Sequence, residues 1–235
     1  MSAFGVAAAG VGVSVSALWL VYWRYKDAAR PEPRRLVLAA FGLGAASALL
    51  ALGAFRIAAL LGLPATPGET HATAAFFCLV LVGPLEEGAK FAVARASAFR
   101  WHAFDEPLDG LVYATAVGLG FAAFENVLYL PYMAPGEALL RTVASPFSHS
   151  VFAAVWGLAA AHGMFARRGA ARVLWQVGGL ALAALLHGAY DLLIVGHGAT
   201  GAAAALVAVA WFGVAAHARS LLRASHPADD SAPAA

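Results

Sequence analysis

Charged residues are scarce in this chain, and their scarcity excludes an ordinary water-soluble protein. Asp, Glu, Lys and Arg make up 12% of the 235 residues, whereas 62% are hydrophobic. A typical soluble domain is about 25% charged. Apolar runs of about 20 residues, the length of a helix that crosses a bilayer, recur along the sequence. The composition therefore predicts an all-α, polytopic transmembrane helix bundle, surrounded by lipid in the cell (plasma) membrane.

Cysteine is nearly absent, and a strong net charge and two familiar protease motifs are missing. The single Cys78 excludes an intrachain disulfide and a cysteine-cluster metal site. The formal net charge is only +2 and is dispersed, so nothing indicates a nucleic-acid partner. The sequence contains neither a GxSG serine nucleophile motif nor the HExxH motif of zincins. Any hydrolytic chemistry must therefore come from other residues.

Seven apolar segments are long enough to cross a membrane. Basic residues concentrate between the first two, in residues 24–35, so the positive-inside rule places this connection in the cytoplasm and the N-terminus outside. Seven crossings then place the C-terminus in the cytoplasm. We expect a single membrane-embedded domain over residues 1–218 and a disordered cytoplasmic tail over 219–235. The predicted spans are 3–23, 36–60, 72–95, 107–130, 147–166, 173–195 and 199–217.

A few charged residues fall inside these spans, where each costs about 2.5 to 3.5 kcal/mol on insertion scales. They are Arg56, Glu86, Glu87, Lys90, Glu125 and Asp191. Arg56 lies near the end of its span, where its long side chain can reach the headgroups. Lys90 can neutralise Glu86 at i, i+4, which leaves Glu87 unexplained, and Lys90 is also a candidate partner for Glu125. These carboxylates therefore need a functional explanation.

Small residues accompany the polar ones at four-residue spacing on three predicted spans. They precede Glu125, follow His149 and precede His187, which itself shares a face with Asp191. Stripes of this kind mark faces where membrane helices approach closely. We therefore predict that these polar side chains converge with the glutamate pair in one cavity that opens to the outside. The small residues are Ala114, Gly118, Ala122, Ala153, Gly157, Ala161, Gly179 and Ala183.

Carboxylates and histidines in a membrane-buried pocket suit the activation of a water molecule. A buried glutamate can take a proton from water, and imidazoles can orient that water, stabilise an oxyanion or bind Zn²⁺. This chemistry favours hydrolysis of a peptide bond. A proton- or ion-coupled transporter is an alternative, because buried Glu, His and Asp also form proton relays. Transporters usually carry paired helix breaks, whereas we find one, at Pro84.

Four motifs in order resemble the PrsW-type intramembrane proteases, which belong to a superfamily with CAAX-prenyl endoproteases and bacteriocin-processing proteins. The resemblance covers about residues 80–195. It implies a helix bundle that cleaves a membrane protein or peptide, for example a single-pass anti-sigma factor. An inactive scaffold of the same family is a further alternative. The motifs are EEGAK from Glu86, LDGLVY running into FENVLY from Leu108 to Tyr129, His149, and HGAYD from His187 to Asp191.

The resemblance also implies roles for individual residues. Glu86 with His149 would activate water, and His187 with Asp191 would hold the oxyanion or a metal. The need for a cofactor stays open, because the residues suit either a metal-free glutamate and histidine mechanism or a zinc site. The zinc ligands would then be Glu87, His149 and His187, with water as the fourth. The predicted catalytic set is Glu86, Glu87, Glu125, His149, His187 and Asp191.

Overall fold

A computed structural model describes residues 3–26 and 30–225 of the chain. The described residues form helices and short connections, without a β-strand, so the predicted all-α class is confirmed. Besides the α-helices, the described residues form two π-helices, Phe77–Val82 and Leu192–Gly196, and two 3₁₀ turns, Ala98–Arg100 and Leu130–Tyr132. The α-helices are α1 (Ala3–Lys26), α2 (Arg34–Leu60), α3 (His71–Phe76), α4 (Gly83–Ala96), α5 (Asp109–Tyr129), α6 (Pro135–Ala166), α7 (Gly169–Asp191) and α8 (Thr200–Ser225).

The architecture is the multi-pass bundle that the composition predicts. Within the described ranges six helices, α1, α2, α5, α6, α7 and α8, are each long and apolar enough to cross a membrane. The remaining predicted span, 72–95, is built from α3, the first π-helix and α4. These three pieces have 6, 6 and 14 residues and continue one another from His71 to Ala96 without a break. Together they give the seventh helical segment.

The predicted start of the fifth span is wrong, because α6 begins at Pro135 and not at residue 147. Proline suits the first turn of a helix, where its missing N–H would be unpaired in any case. Pro146, which lies inside α6, removes only one backbone hydrogen bond from the helix. The residues predicted as a loop before position 147 are therefore largely helical, and Arg141 lies on α6.

The predicted disordered tail is also wrong for its first residues, because α8 continues to Ser225. Leu221 and Leu222 pack against a cluster that includes Trp23 and Val214, and this apolar contact favours continuation of the helix. The rest of the predicted tail, residues 226–235, lies outside the described residues.

Helix α5 is the centre of the bundle, and it packs most extensively against α6 and α2. Its residues are buried without interruption from Asp109 to Ala123. A Cβ atom on Gly118 would lie 2.6 Å from the carbonyl oxygen of His149, and one on Gly157 would collide with the backbone of Gly110. The predicted small-residue stripes on α5 and α6 thus lie where these two helices touch, and Gly179 of the stripe on α7 lies against Ala159 of α6.

A second close contact joins α7 to the segment that carries the glutamate pair. A Cβ atom on Gly83 would collide with the carbonyl oxygen of Ala184, and one on Gly188 would collide with that of Cys78. Both backbones therefore approach one another directly. This contact brings Glu86 and Glu87 next to His187.

Candidate active site

A cavity of about 900 Å³ lies at one end of the bundle. This is the end at which the connections that precede α3 and α8 are located. Its walls come from α2, the first π-helix, α6 and the last part of α7, and they are mostly apolar. Five of the six predicted site residues line it, and Glu87 does not. The five are Glu86, Glu125, His149, His187 and Asp191. Residues from four helices are thus brought together as the stripes predict.

Glu87 lies behind the cavity wall and is completely buried. Its Oε1 atom accepts hydrogen bonds from Lys90 Nζ and from His187 Nδ1, both at 2.8 Å. Its Oε2 atom accepts one from the indole Nε1 of Trp156 at 2.9 Å. Both oxygens are therefore engaged, and the carboxylate orients the imidazole of His187.

Glu86 has the opposite environment, because it faces the cavity. Its Oε2 atom is buried without a hydrogen-bond partner. That oxygen lies 3.7 Å from His187 Nε2 and 3.8 Å from Lys90 Nζ. A buried carboxylate oxygen without a donor is uncommon in proteins and marks a place for a water, an ion or a substrate group.

Lys90 is the cation that balances the glutamate pair, and its side chain is fully buried. The predicted i, i+4 contact with Glu86 exists, but the shorter contact is with Glu87, at 2.8 Å. The Nζ atom also lies 2.7 Å from His149 Nδ1 and 3.9 Å from the centroid of the Phe121 ring. The ammonium group is therefore enclosed by carboxylates, an imidazole and an aromatic face.

His187 and Asp191 lie on one face of α7. Because Nδ1 of His187 is bonded to Glu87, its Nε2 atom is turned toward the cavity side, 3.5 Å from Asp191 Oδ2. Asp191 is one quarter exposed, so it is accessible to a molecule in the cavity. Glu87 orients the ring from behind, and Asp191 stands beside its free nitrogen.

Glu125 pairs with Arg141 and not with Lys90, so the proposed Glu125–Lys90 contact is wrong. Glu125 Oε2 lies 2.9 Å from Arg141 Nη2 and 3.0 Å from His149 Nε2. The sequence interpretation missed this pair because it placed Arg141 in a loop. The four-residue stripe through His149 continues back through Ser145 to Arg141, a signal that could have revealed it.

Trp156 is a second residue that the sequence interpretation missed. It follows His149 by two helical turns on α6, so both side chains face the same side of the helix. Its ring packs edge-on against Phe91, and its N–H is bonded to Glu87. The helical spacing could have indicated this residue, but an aromatic at that position is equally typical of a core.

Only one group of side chains in the described part of the chain could hold a metal ion. It consists of Glu86, His149 and His187, whose ligand atoms lie within 4.8 Å of one another. A carboxylate, two imidazoles and an open fourth position match the composition of catalytic zinc sites. The partnerless Oε2 atom of Glu86 also fits this role. The structure thus groups Glu86 with the histidines, where the sequence interpretation placed Glu87.

Comparison with known proteins identifies a family. The model of the PrsW family intramembrane metalloprotease matches residues 32–217. Protease PrsW of Geobacillus kaustophilus (strain HTA426) is 33% identical over 192 residues, covering 82% of this chain and 80% of that protein. Protease PrsW of Bacillus subtilis (strain 168) is 30% identical over 191 residues, covering 81% and 83%. No solved structure matches the chain significantly. With its family model matched over most of its length, the chain belongs to the PrsW family of intramembrane metalloproteases.

Proposed function

We propose that this intramembrane protease cleaves a single-pass regulatory membrane protein, such as an anti-sigma factor, and that Glu86 activates the attacking water. The observation that carries the catalytic assignment is the Oε2 atom of Glu86. It is buried, it has no hydrogen-bond partner, and its residue lines the cavity. Glu125 Oε2 shares these properties but lies 2.9 Å from Arg141 and 3.0 Å from His149, whereas Glu86 Oε2 has no charged neighbour closer than 3.7 Å. Family membership decides against a transporter, and the complete set of site residues argues against an inactive scaffold.

The two adjacent glutamates have different tasks in this proposal. Glu86 takes a proton from water as the water oxygen bonds to the scissile carbonyl carbon, and it returns that proton to the amide nitrogen as the C–N bond breaks. Glu87 stays behind the wall, where it accepts hydrogen bonds from Lys90, His187 and Trp156. It fixes the ring of His187 beside Glu86.

The remaining cavity residues surround the place where negative charge develops. The carbonyl oxygen becomes an oxyanion when water adds, and imidazole N–H groups are suitable donors for it. His149 and His187 both reach the cavity, with ring centroids 4.9 Å apart. Arg141 balances Glu125 at the cavity wall, so that carboxylate does not repel the oxyanion.

The metal named in the family description fits the same residues. Glu86, His149 and His187 would hold it, in which case Glu86 would be a ligand and not the proton acceptor, and a bound zinc ion would polarise the scissile carbonyl and lower the pKa of water. Activity that persists in full in metal-free protein would exclude a requirement for the metal. Both oxygens of Glu87 already accept hydrogen bonds from protein side chains. Glu87 would therefore orient the metal ligand His187 and would not itself bind the metal.

The position of the cavity supports a membrane-protein substrate cut near the membrane surface. The walls include Ala65, Pro67 and Gly198 from the connections at one end of the bundle. The distribution of basic residues predicts that this end faces the outside. We therefore expect cleavage in the segment of a single-pass protein that lies just beyond its outer membrane boundary.

The proposal is tested by following tagged single-pass membrane proteins in cells that express the protease or its variants. We expect a substrate to be cut by the wild type and to accumulate uncut with Glu86→Gln. Glu137→Gln is the matched control, because Glu137 lines the same cavity but is exposed and outside the catalytic group. Cleavage that persists with Glu86→Gln would refute the assignment of Glu86.

A further inference from the structure

An apolar groove of about 620 Å³ lies where α6, α7 and α8 meet. It is separate from the catalytic cavity, because the two share no lining residue. The groove exists because Gly178 of α7 and Gly213 of α8 have no side chains, and a Cβ atom on either would meet no atom within 4 Å. α7 also packs far more extensively against α6 than against α8. A space thus remains between α7 and α8 that the described side chains do not fill.

The groove has the dimensions of one lipid acyl chain. Along α7 its wall extends from Leu174 to Leu186, twelve residues apart, which is about 18 Å at 1.5 Å per residue. The acyl chains of one leaflet fill half of the hydrocarbon core, about 15 Å. Within the described part of the chain, His217 is the one ionisable residue of the wall. The groove therefore fits a hydrocarbon chain that enters from one face of the membrane.

One end of the groove has the residues of a membrane–water interface. Trp175 and His217 line it there, and tryptophan is typical of the headgroup level. His162 of α6 adjoins both, with its ring centroid 4.3 Å from that of Trp175 and 6.3 Å from that of His217. Its Nε2 atom is buried and has no hydrogen-bond partner among the described residues. A buried polar atom of this kind marks a place for a missing partner.

Basic residues surround the same end, where α6 ends, α7 begins and α8 approaches its last turns. The sequence contains no Asp or Glu over residues 138–190 or 192–228, so these helices carry no carboxylate near this end that would neutralise them. Arginine binds phosphate oxygens through two parallel N–H groups, and basic pockets between membrane helices bind anionic lipid headgroups. The basic residues are Arg167, Arg168, Arg172, Arg219 and Arg223.

We propose that this groove binds one anionic phospholipid. Its acyl chain occupies the space at Gly178 and Gly213, and its phosphate binds Arg168 and Arg172 beside His162. Charge complementarity selects this occupant over a second transmembrane helix, because an apolar helix would leave the arginines and the Nε2 atom of His162 without an anion. The site uses no residue of the catalytic cavity, and its test does not depend on cleavage.

Native mass spectrometry of the purified protein in detergent measures the binding of lipids directly. The probes are palmitoyl-oleoyl phosphatidylglycerol and palmitoyl-oleoyl phosphatidylcholine, which have the same acyl chains and differ in net charge. We expect phosphatidylglycerol to bind at least about five-fold more tightly, the effect of one basic residue near an anionic headgroup. Glycerol phosphate, which has no acyl chain, should not bind at the same concentrations. Equal affinities of the two lipids overturn the proposal, and so does glycerol phosphate that binds as tightly as phosphatidylglycerol.

A double substitution tests the phosphate contacts. Arg168→Gln combined with Arg172→Gln should weaken phosphatidylglycerol binding by about 5- to 25-fold, since each basic residue contributes about five-fold. Arg34→Gln combined with Arg35→Gln is the matched control, because it removes two exposed arginines at the start of α2, outside the groove. The control should leave the affinity unchanged. Equal losses in the two double variants would show an effect of net charge alone and would overturn the site.

A bulky residue in the groove tests the position of the acyl chain. Gly213→Leu fills the groove, and we expect loss of tight phosphatidylglycerol binding although every arginine is retained. Gly42→Leu on α2 is the control, because a Cβ atom there also meets no atom within 4 Å. Unchanged lipid binding in Gly213→Leu overturns the proposal, and an accompanying change in oligomeric state would assign the groove to a second copy of the chain. The comparison of the two lipids on the wild type decides the proposal if Gly213→Leu does not fold.

Discussion

The indole of Trp156 donates a hydrogen bond from the middle of α6 to Glu87 Oε2, 2.9 Å away on α4. Both side chains are completely buried, so no water can replace this donor. The same ring packs edge-on against Phe91. One residue thus joins the apolar core to the glutamate that orients His187.

Trp156→Phe should destabilise the protein by about 1 to 3 kcal/mol, the cost of leaving a buried acceptor without its donor. Cleavage should fall but persist, because Glu87 keeps its bonds from Lys90 and His187. Thermal unfolding in detergent measures the first effect and reporter cleavage the second. Trp175→Phe, at a ring that is 42% exposed, is the control. Equal unfolding temperatures for both variants would contradict the prediction.

Gly188→Ala should reduce both stability and cleavage strongly. The added methyl group would collide with the carbonyl oxygen of Cys78, a backbone atom that can move only if α7 separates from the first π-helix. His187 would move away from Glu87 in the process. Gly178→Ala on the same helix is a matched control, because a Cβ there meets no atom within 4 Å. Unfolding and cleavage assays on the pair check the prediction, and similar behaviour of the two variants would speak against it.

Arg141→Met should lower cleavage, because it leaves the carboxylate of Glu125 beside His149 without its cation. The unpaired buried carboxylate should also lower the free energy of unfolding, and adding Glu125→Gln to Arg141→Met should recover part of that loss. A double-mutant cycle of unfolding free energies is expected to give a coupling of about 0.5 to 3 kcal/mol. Strictly additive effects of the two substitutions would show that the pair does not act as a unit.

His187→Asn should weaken zinc binding more than His149→Asn does. Nε2 of His187 is already turned toward Glu86, whereas both ring nitrogens of His149 lie against other charged groups, Nδ1 at 2.7 Å from Lys90 and Nε2 at 3.0 Å from Glu125. Competition with a chromogenic chelator measures both affinities against the wild type. The ranking would be reversed if His149 were the ligand that is free to bind.

The spans and the convergence of polar groups could be predicted from sequence because both depend on periodicity. Apolar length gives the helices, and the small residues at Gly118 and Gly157 indicate which helix faces touch. The tertiary contact then brings His149 to Glu125 without further information. Regular spacing on each helix was sufficient for this part of the site.

The roles of the individual site residues could not be predicted from the spacing of residues along the helices. Glu86 and Glu87 are adjacent in sequence, so only the packing of α4 decides which one faces the cavity. Arg141 was assigned to a loop because the predicted apolar span begins at residue 147, whereas the helix itself begins at Pro135 and continues through Pro146. Helical spacing places Trp156 on the same face of α6 as His149, but its hydrogen bond to Glu87 depends on side-chain geometry that the spacing does not encode.

The π-helix that precedes α4 determines how the chain accommodates an extra residue beside the site. Each residue of an α-helix turns the chain by about 100°, whereas a π-helix takes more residues for each turn. The segment Phe77–Val82 can therefore hold one residue more than a regular helix while Cys78, Val82 and Glu86 all line the same cavity. A deletion of one residue between Phe77 and Val82 would return the segment to a regular helix and leave the catalytic face of α4 directed toward His187. The site should thus tolerate this deletion better than a deletion within the α-helical part of α4.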